Sequence, residues 1–431
     1  MDHSEAFARH KKVLPKWLAL YYSEPIELVS GSGCHVSDAE GNQYLDFFGG
    51  ILTTMTGYAV PEVVDAIREQ SSKMIHSSTL YLISPMIELA EQISQLSGIE
   101  DAKVFFTTSG TEANDTALLL ASCYRSSNSV LAVRGSYHGR SLVSMAVTGN
   151  PGYSPSTYYP LNVSYVLGGS RLRGPLSGVS DQQYCDMGVK DLRDLITNGI
   201  GGNVAALIAE PIQGVGGFNL PPDGYFGAIK EVLDEYGILF ISDEVQTGWG
   251  RTGEHFWGYQ AHGMVPDMLT FAKGIGNGLA LAGVVARSEV MDSLPGSSIS
   301  TFGGSPLAAT AGLANLKFLL ENELQANALR IGQRMITRLQ NELADSPIVA
   351  EVRGKGLMLG VEIINPPDGA PSPSGAKAVL ENAKLMGLLV GRGGVDGNVL
   401  RIAPPLSITE SEVDAGVGIL VGAITRAAGN L

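Results

Sequence analysis

Short apolar segments alternate with longer amphipathic segments from about Lys103 onward, and this alternation constrains the fold more than any other feature. The short segments have the length of buried strands, and the longer ones have the spacing of helices. Parallel strands need long crossover connections, which are usually helices. The sequence therefore predicts an α/β fold in which helices cover both faces of a parallel sheet. We predict strands over residues 104–106, 129–133, 204–209, 238–241, 268–271 and 283–286, and helices over 113–124 and 224–236.

The segments outside this region carry other patterns. Residues 150–186 are rich in Pro, Gly, Ser and Tyr, and we expect an irregular excursion over the mouth of the site. Residues 307–343 have continuous helical spacing and predict a bridge to a second lobe. We also predict a hairpin over 36–47, helices over 61–73, 85–96, 374–386 and 410–427, strands over 349–356, 357–363 and 400–403, and a loop over 366–373.

Charge and cysteine content narrow the class of protein. The 431 residues carry a formal net charge of −14, with no basic run beyond His10-Lys11-Lys12, which makes nucleic acid and anionic membranes poor partners. No apolar stretch approaches the ~18 residues of a membrane span. The first five residues lack the apolar core of a secretory signal. Cys34, Cys123 and Cys185 form an odd, scattered set, so we expect a reduced, cytoplasmic protein without a disulfide framework.

One lysine stands at the junction of an apolar run and a glycine-rich loop. Lys273 follows Met-Leu-Thr-Phe-Ala and precedes Gly-Ile-Gly. Burial lowers the pKa of a lysine, and Schiff-base chemistry requires the neutral amine. The alternative is a solvated lysine in a turn. The glycines Gly274, Gly276 and Gly278 superficially suggest a dinucleotide loop, but no acid follows at the later strand end that such a loop requires.

An acid lies thirty residues upstream, at the end of another apolar run. Asp243 follows Ile-Leu-Phe-Ile-Ser and is therefore expected to be buried, where it needs a positive partner. A protonated pyridine nitrogen is one candidate, and a structural arginine is the other. An amine and a carboxylate presented at strand ends, on a phosphate-binding scaffold, are what pyridoxal phosphate requires. Beside Asp243, Val245 is placed to pack on the ring and Gln246 to reach its phenolic oxygen.

Two further segments follow predicted strands. Ser109, Gly110 and Thr111 open a helix, where free backbone N–H groups can hold a phosphate, although an ordinary N-cap explains the same residues. Tyr137 and His138 follow the strand at 129–133. The tyrosine can stack on a planar ring, but a tyrosine at the rim and a hydrogen-bonded histidine are simpler explanations.

Two charges lie on apolar strands near the ends of their segments. Glu210 ends one strand and is followed by proline, and Arg401 lies within Val-Leu-Arg-Ile-Ala. Their positions favour mutual pairing or a ligand, since an arginine fork binds a carboxylate bidentately. For Arg401 a purely structural salt bridge is about equally compatible with the sequence.

Seven motifs in order resemble the class III aminotransferases of PLP fold type I. They are Ser-Gly-Thr-Glu-Ala-Asn from Ser109, Tyr-His-Gly from Tyr137, Ala-Glu-Pro-Ile-Gln-Gly, Asp-Glu-Val-Gln-Thr-Gly, Ala-Lys-Gly, Thr-Phe-Gly-Gly and Arg-Ile-Ala-Pro. The resemblance covers about residues 31–427 and is similar in detail to the alanine–glyoxylate aminotransferase 2 branch. It implies a large domain, residues 61–310, with a mostly parallel seven-stranded sheet. It also implies a smaller α+β domain built from residues 1–60 and 311–431.

The resemblance implies a role for each motif residue. Lys273 forms the Schiff base with pyridoxal 5′-phosphate and moves a proton, and Asp243 pairs with the pyridine nitrogen. The remaining implied cofactor-binding residues are Ser109, Gly110, Thr111, Tyr137, His138, Val245, Gln246 and, from a neighbouring subunit, Thr301. The implied substrate-binding residues are Arg401, Glu210, Tyr81 and Ile51, with Glu210 pairing with an arginine in one state. A homodimer, with a tetramer as a further option, is implied, and no metal site is predicted.

The predicted activity is transfer of an amino group from an amino acid or amine to a small 2-oxo acid, pyruvate or glyoxylate, by a ping-pong mechanism. The chain departs from the family at Tyr58, Ser305 and Gly50, which touch the rim of the substrate pocket. A PLP-dependent lyase, epimerase or decarboxylase on the same scaffold is the alternative, because the cofactor labilises every bond at the α-carbon. Lys273 and Asp243 argue against a catalytically inactive binding protein, and the lack of a proper dinucleotide fingerprint argues against a nicotinamide dehydrogenase.

Overall fold

The computed structural model describes residues 3–156, 158–201 and 203–429. An exposed helix, α1 (His3–Val13), precedes a small antiparallel sheet of β1 (Leu28–Ser32), β2 (His35–Asp38) and β3 (Gln43–Asp46). The β2–β3 pair is the hairpin predicted from the Glu-Gly-Asn turn. A short left-handed turn, α2 (Gly49–Leu52), and two helices, α3 (Pro61–Lys73) and α4 (Ser84–Leu96), lead into the central sheet.

Seven strands form the central sheet in the order β4-β10-β9-β8-β7-β5-β6. Only β10 runs against its neighbours, so the sheet is mostly parallel, as predicted. The strands are β4 (Ala102–Thr107), β5 (Ser129–Val133), β6 (Asn162–Val166), β7 (Ala206–Ala209), β8 (Leu239–Asp243), β9 (Met268–Phe271) and β10 (Ala282–Arg287). The connecting helices are α5 (Gly110–Arg125), α6 (Leu142–Ala146), α7 (Asp181–Asp194), α8 (Tyr225–Glu235) and α9 (Ser288–Met291).

Alternate residues of each central strand enter different cores. Val130 and Ala132 pack on the face covered by α5, whereas Leu131 and Val133 pack on the face covered by α7 and α8. Successive strand side chains point to opposite faces, so two-sided burial gives an uninterrupted apolar run. Because strands β5 to β9 are parallel, their carboxyl ends meet along one edge of the sheet.

The C-terminal part forms a second layer. α10 (Pro306–Glu321) and α11 (Leu324–Glu342) precede a sheet with the order β11-β12-β15-β14. Its strands are β11 (Val349–Lys355), β12 (Met358–Ile363), β14 (Gly391–Gly393) and β15 (Val399–Ile402), and its helices are α12 (Pro373–Leu385) and α13 (Glu410–Ala428). A two-residue strand, β13 (Leu388–Leu389), pairs in parallel with β3 and joins the N-terminal sheet to this C-terminal layer.

Two predictions of secondary structure are wrong. The segment 150–186 is not wholly irregular, because it contains the edge strand β6 and the start of α7. The polar residues Asn162 and Ser164 obscure the strand in the sequence. The helix over 307–343 is two helices, because Glu323 adopts a left-handed φ of 49° between them. None of the helices in the described ranges combines the length and apolarity that a bilayer crossing requires.

Candidate active site

A cavity of about 400 Å³ lies at the carboxyl edge of the central strands. This edge is where open α/β sheets bind their ligands. Ten of the predicted site residues line the cavity: Ser109, Gly110, Thr111, Tyr137, His138, Glu210, Asp243, Val245, Gln246 and Lys273. The topology therefore brings together residues that are up to 164 positions apart in the chain, the difference between 273 and 109.

Lys273 follows β9 after a single alanine and begins a short 3₁₀ turn. Its φ of 47° lies in the left-handed region, which costs a non-glycine residue about 1–3 kcal/mol. Burial lowers the pKa of Lys273 to about 8; Asp243 and Glu210 oppose this shift, and the positive charge of Arg401 adds to it. The amine is thus largely neutral only a little above physiological pH, as an attacking nitrogen requires.

Asp243 is the last residue of β8, and its carboxylate is almost fully buried. Its Oδ2 accepts hydrogen bonds from Asn114 Nδ2 at 2.8 Å and from His138 Nδ1 at 2.7 Å. Its Oδ1 accepts one from the Val245 N–H at 3.1 Å. Within the described residues no arginine or lysine forms an ion pair with it, so the structural-arginine alternative is not realised. The buried charge is left to face the cavity.

Asn114 has a role that the sequence reasoning missed. Its Nδ2 donates to both Asp243 Oδ2 and the His138 carbonyl, each at 2.8 Å. Its Oδ1 accepts from Thr270 Oγ1 at 2.7 Å, which ties the network to β9. The available signal was an amide on the first turn of α5 beside the apolar positions Ala113 and Ala117, because a buried amide needs partners.

The start of α5 combines an N-cap at Ser109 with free backbone N–H groups at Gly110 and Thr111, which form the cradle. Ser109 Oγ accepts from the Glu112 N–H at 3.2 Å, so the N-cap alternative is realised for this residue. Gly110 and Thr111 open α5, where backbone N–H groups lack helical partners. A Cβ at Gly110 would lie 3.1 Å from both Val245 methyl groups, and one at Gly139 would lie 2.6 Å from Thr111 Oγ1. Glycine at both positions lets Val245 and the Thr111 hydroxyl pack closely beside the free N–H groups at the start of α5, and such N–H groups suit a phosphate.

Tyr137 lines the cavity and contacts both Glu210 and Tyr153. Its backbone N–H donates to Glu210 Oε1 at 2.9 Å, and its ring meets Tyr153 edge-on at 5.3 Å between centroids. Burial raises the pKa of Tyr137, which keeps its phenol neutral. Tyr137 and Val245 both line the cavity, and together they provide apolar surface for a planar ring.

Glu210 and Arg401 do not form the mutual ion pair that was one of the two options suggested by their positions in the sequence. Glu210 instead accepts from the backbone N–H groups of Tyr137 and Gly214, at 2.9 and 2.8 Å. Burial raises the pKa of Glu210 to about 7, with His138 opposing the shift and Asp243 adding to it. Arg401 donates to Gln246 Oε1 at 2.7 Å, so Gln246 contacts the arginine directly. Burial also lowers the pKa of Arg401.

Four predicted residues lie outside the cavity lining. Arg401 reaches the cavity through Gln246, whereas Ile51, Tyr81 and Thr301 are exposed. Ile51 sits in the left-handed turn α2 with a φ of 67°, and Tyr81 is 71% exposed. Ser300, next to Thr301, donates to Glu112 at 2.7 Å. The structure of one chain therefore does not bring Ile51, Tyr81 or Thr301 into contact with the cradle.

Glu244 has a structural environment that contrasts with its neighbour. Its carboxylate accepts from the hydroxyls of Ser242 and Thr247 and from the N–H groups of Gly258 and Tyr259, at 2.5–3.0 Å. These bonds close the loop that follows β8. Asp243 therefore faces the cavity, whereas its neighbour Glu244 stabilises the loop that follows β8.

Comparison with known proteins agrees with this site. Residues 21–424 match the family model described as aminotransferase class-III. The alanine–glyoxylate aminotransferase 2 homolog 2 of Arabidopsis thaliana, a mitochondrial protein, is 38% identical over 94% of this chain and 84% of its own length. An alanine/serine racemase of Pyrococcus horikoshii is 36% identical over 97% of this chain and 90% of its own length.

A solved structure extends the likeness to three dimensions. An amine transaminase from an uncultivated Pseudomonas species, in its PLP-bound form, superimposes with a TM-score of 0.88 at 30% identity. The match covers 93% of this chain and 95% of that one. The family match, the fold and the cavity agree on the same cofactor. The chain belongs to the class III aminotransferases, which are pyridoxal phosphate-dependent enzymes.

Proposed function

We propose that Lys273 and Asp243 are the catalytic residues of this aminotransferase. Bound pyridoxal phosphate supplies a ring that withdraws electrons from the substrate α-carbon and carries the amino group between two half-reactions. Gly110 and Thr111 hold the phosphate, and Tyr137 and Val245 bracket the ring. His138 contributes by fixing the Asp243 carboxylate, which it contacts at 2.7 Å.

The observation that carries this assignment is the surroundings of Asp243. Its carboxylate is buried, and its described partners are an amide, an imidazole and a backbone N–H. None of these partners is an arginine or a lysine, and a buried carboxylate without such a partner favours a cationic ligand. The protonated ring nitrogen of the cofactor is such a cation, and Asp243 keeps the proton on that nitrogen.

Lys273 Nζ acts as the proton carrier in this proposal. Its depressed pKa would let the amine take up the proton that leaves the substrate α-carbon and release it again within the cavity. Asp243 raises this pKa and Arg401 lowers it, so the two charges tune the same nitrogen in opposite directions.

Arg401 binds the substrate carboxylate in this proposal. It is a buried arginine whose Nε has no hydrogen-bond partner among the described residues, so it retains donor capacity. The likeness to alanine–glyoxylate aminotransferase 2 favours alanine as donor and glyoxylate as acceptor, and pyruvate serves as acceptor when the donor is an amino acid other than alanine. Both acceptors are small 2-oxo acids whose carboxylate an arginine fork can hold. Glu210, whose pKa burial raises to about 7, lies near enough to Arg401 to raise the pKa of the arginine.

A homodimer completes the proposal. Thr301 and Tyr81, implied as site residues, lie among exposed apolar side chains, which favours their use at a partner's site. Met74, Ile75, Leu80, Leu82, Ile299 and Phe302 are all at least half exposed. The cytoplasm is the proposed location, and residues 1–60 with 311–431 are the proposed smaller domain.

Labelled-nitrogen transfer tests the proposed function. Purified protein incubated with pyridoxal phosphate and reduced with borohydride should carry the cofactor mass on the peptide that contains Lys273. With ¹⁵N-alanine and glyoxylate, the protein should yield pyruvate and ¹⁵N-glycine in equal amounts. Cofactor mass on another lysine would refute the assignment of Lys273. Attachment at Lys273 without nitrogen transfer to any 2-oxo acid would refute the transferase activity.

Racemisation is the second candidate, favoured by the likeness to an alanine/serine racemase. It requires the same proton transfer at the α-carbon without release of a 2-oxo acid. Loss of optical purity of alanine in the absence of any acceptor, without pyruvate formation, would identify it. Formation of ¹⁵N-glycine at a rate above that of racemisation would exclude it as the principal activity.

A further inference from the structure

Arg353 and Arg401 occupy aligned positions on the two strands that flank β12. In the C-terminal sheet, Arg353 of β11 is paired with Gly360 of β12, which is paired in turn with Arg401 of β15. Directly opposed residues of antiparallel strands present their side chains on the same face. The two arginines therefore flank a position that has no side chain.

The loop that follows Glu210 occupies this gap. A Cβ at Gly360 would lie 3.1 Å from the Gly217 carbonyl oxygen, so glycine lets the loop rest on the sheet. Gly217 and Phe218 both have positive φ, 101° and 53°. The Phe218 ring is fully buried and lies 4.8 Å from the Arg401 guanidinium. A buried phenylalanine in the left-handed region needs its surroundings to hold it there.

Arg353 provides that support. Its Nη2 and Nε donate to the Gly217 carbonyl at 2.7 and 3.2 Å, and its Nε also donates to the Phe218 carbonyl at 3.2 Å. Its Nη1 is anchored by Glu351 at 2.6 Å and by the buried Glu362 at 2.7 Å. The planar fork is thus fixed on one side by two carboxylates and on the other side holds the Gly217 and Phe218 carbonyls, of which Phe218 has the strained backbone.

Arg401 depends on the ring that Arg353 holds. Among the described residues, the only hydrogen bond of its guanidinium goes to Gln246. Its guanidinium otherwise lies between the rings of Phe218 and Phe48, at 4.8 and 5.2 Å. Stacking of this kind fixes the plane of a guanidinium and therefore the direction of its free donors.

We infer that Arg353 is a positioning residue for substrate carboxylate recognition, acting through the Phe218 loop on the plane of Arg401. The inference rests on the proposed role of Arg401. Arg353 itself lies at a distance of two strands from Arg401 and donates only to the loop and to its carboxylate anchors. Its effect should therefore appear in recognition of amino acids and not in the chemistry at Lys273.

Arg353→Lys tests the inference in the holoenzyme, because lysine keeps the charge and removes the fork. We expect KM for the amino acid donor to rise about tenfold, with kcat changed by less than about twofold. The matched control is Arg338→Lys on α11, whose arginine pairs with Glu342 and Asp414. This control should leave KM unchanged. An unchanged KM in Arg353→Lys would overturn the inference.

A double-mutant cycle separates positioning from general stability. If Arg353 acts through Arg401, Arg353→Lys should add less than about twofold to the KM of Arg401→Lys. If the rise in KM of the double variant equals the product of the two single rises, the inference is wrong. If the single variant Arg401→Lys leaves KM for the amino acid donor unchanged, the proposed role of Arg401 in binding the substrate carboxylate fails. If only Arg353→Lys leaves KM unchanged, that role stands and the present inference fails.

A milder variant decides the question if Arg353→Lys yields no holoenzyme. Glu351 is about one-third exposed and anchors the fork from the surface, so Glu351→Gln loosens Arg353 without altering the core. We expect a rise in KM of about threefold and the same absence of additivity with Arg401→Lys. An unchanged KM, or a rise that multiplies with that of Arg401→Lys, would overturn the inference.

Discussion

The site has two parts: an amine side around Lys273 and Asp243, and a carboxylate side around Arg401, the proposed ligand of the substrate carboxylate. The two sides are built in different ways. Asp243 ends β8 and Lys273 follows the adjacent parallel strand β9, so each position is set by a strand of the same sheet. Arg401 lies on another sheet and meets Gln246 across 155 residues of sequence. Its orientation also depends on rings from two loops. The amine side is therefore fixed by regular secondary structure, and the carboxylate side is fixed by tertiary contacts.

Lys273→Ala should produce the largest effect and confine it to the amine side. We expect turnover to fall by more than about 10⁴-fold, because the variant loses both the attacking nitrogen and the proton carrier. The measurement is ¹⁵N transfer under multiple turnover. Lys317→Ala is the matched control, since that lysine lies on the surface of α10 with its ammonium 3.7 Å from Glu321. Sustained turnover by Lys273→Ala would contradict the mechanism.

Asp243→Asn and Glu244→Gln should separate function from stability on the same side. Asp243→Asn should reduce kcat by about 10³-fold, because a neutral amide stabilises the ring proton poorly. Glu244→Gln should leave kcat near the wild-type value and lower the free energy of unfolding by about 1–3 kcal/mol, since its amide nitrogen cannot accept the hydrogen bonds that Glu244 accepts. Turnover and denaturant unfolding measure the two effects. If Glu244→Gln lost turnover and Asp243→Asn lost only stability, the division of roles between these two acids would be wrong.

The same contrast explains how much could be predicted from the sequence. The strands over 129–133 and 268–271 were predicted with their observed bounds, because burial on both faces produces unbroken apolar runs. The edge strand β6 was missed because its residues Asn162 and Ser164 interrupt such a run. The bond between Gln246 and Arg401 was beyond sequence reasoning, since neither local spacing nor residue type encodes a partner on another sheet.

Arg401→Gln should produce a smaller effect that appears in binding. Loss of a charge-assisted hydrogen bond costs about 1.5–3 kcal/mol, so KM for the amino acid should rise by about 10- to 100-fold. Cofactor attachment at Lys273 should persist, because Arg401 does not line the cradle. Saturation kinetics and borohydride trapping measure these quantities. An unchanged KM would show that the carboxylate is bound elsewhere.

The pH dependence of cofactor capture should give the smallest effect and reveal how the two sides interact. Burial lowers the pKa of Lys273 to about 8, so the apo-protein should capture pyridoxal phosphate faster as pH rises and level off above about 8. From pH 7 to the plateau the gain should be about tenfold, the change in the neutral fraction of such an amine. Stopped-flow absorbance measures the rate, and a rise that continues to pH 10 would indicate a solvated lysine.

Arg401→Gln sharpens this last measurement because it removes a charge that lowers the pKa of Lys273. The midpoint of capture should therefore move to higher pH, although the variant lies on the carboxylate side. A surface substitution of equal charge change, Arg338→Gln, should leave the midpoint in place. If both variants behave alike, the two sides are electrostatically independent. A shift in Arg401→Gln alone would mean that the substrate-binding charge also prepares the amine, by the same field that would hold the carboxylate beside it.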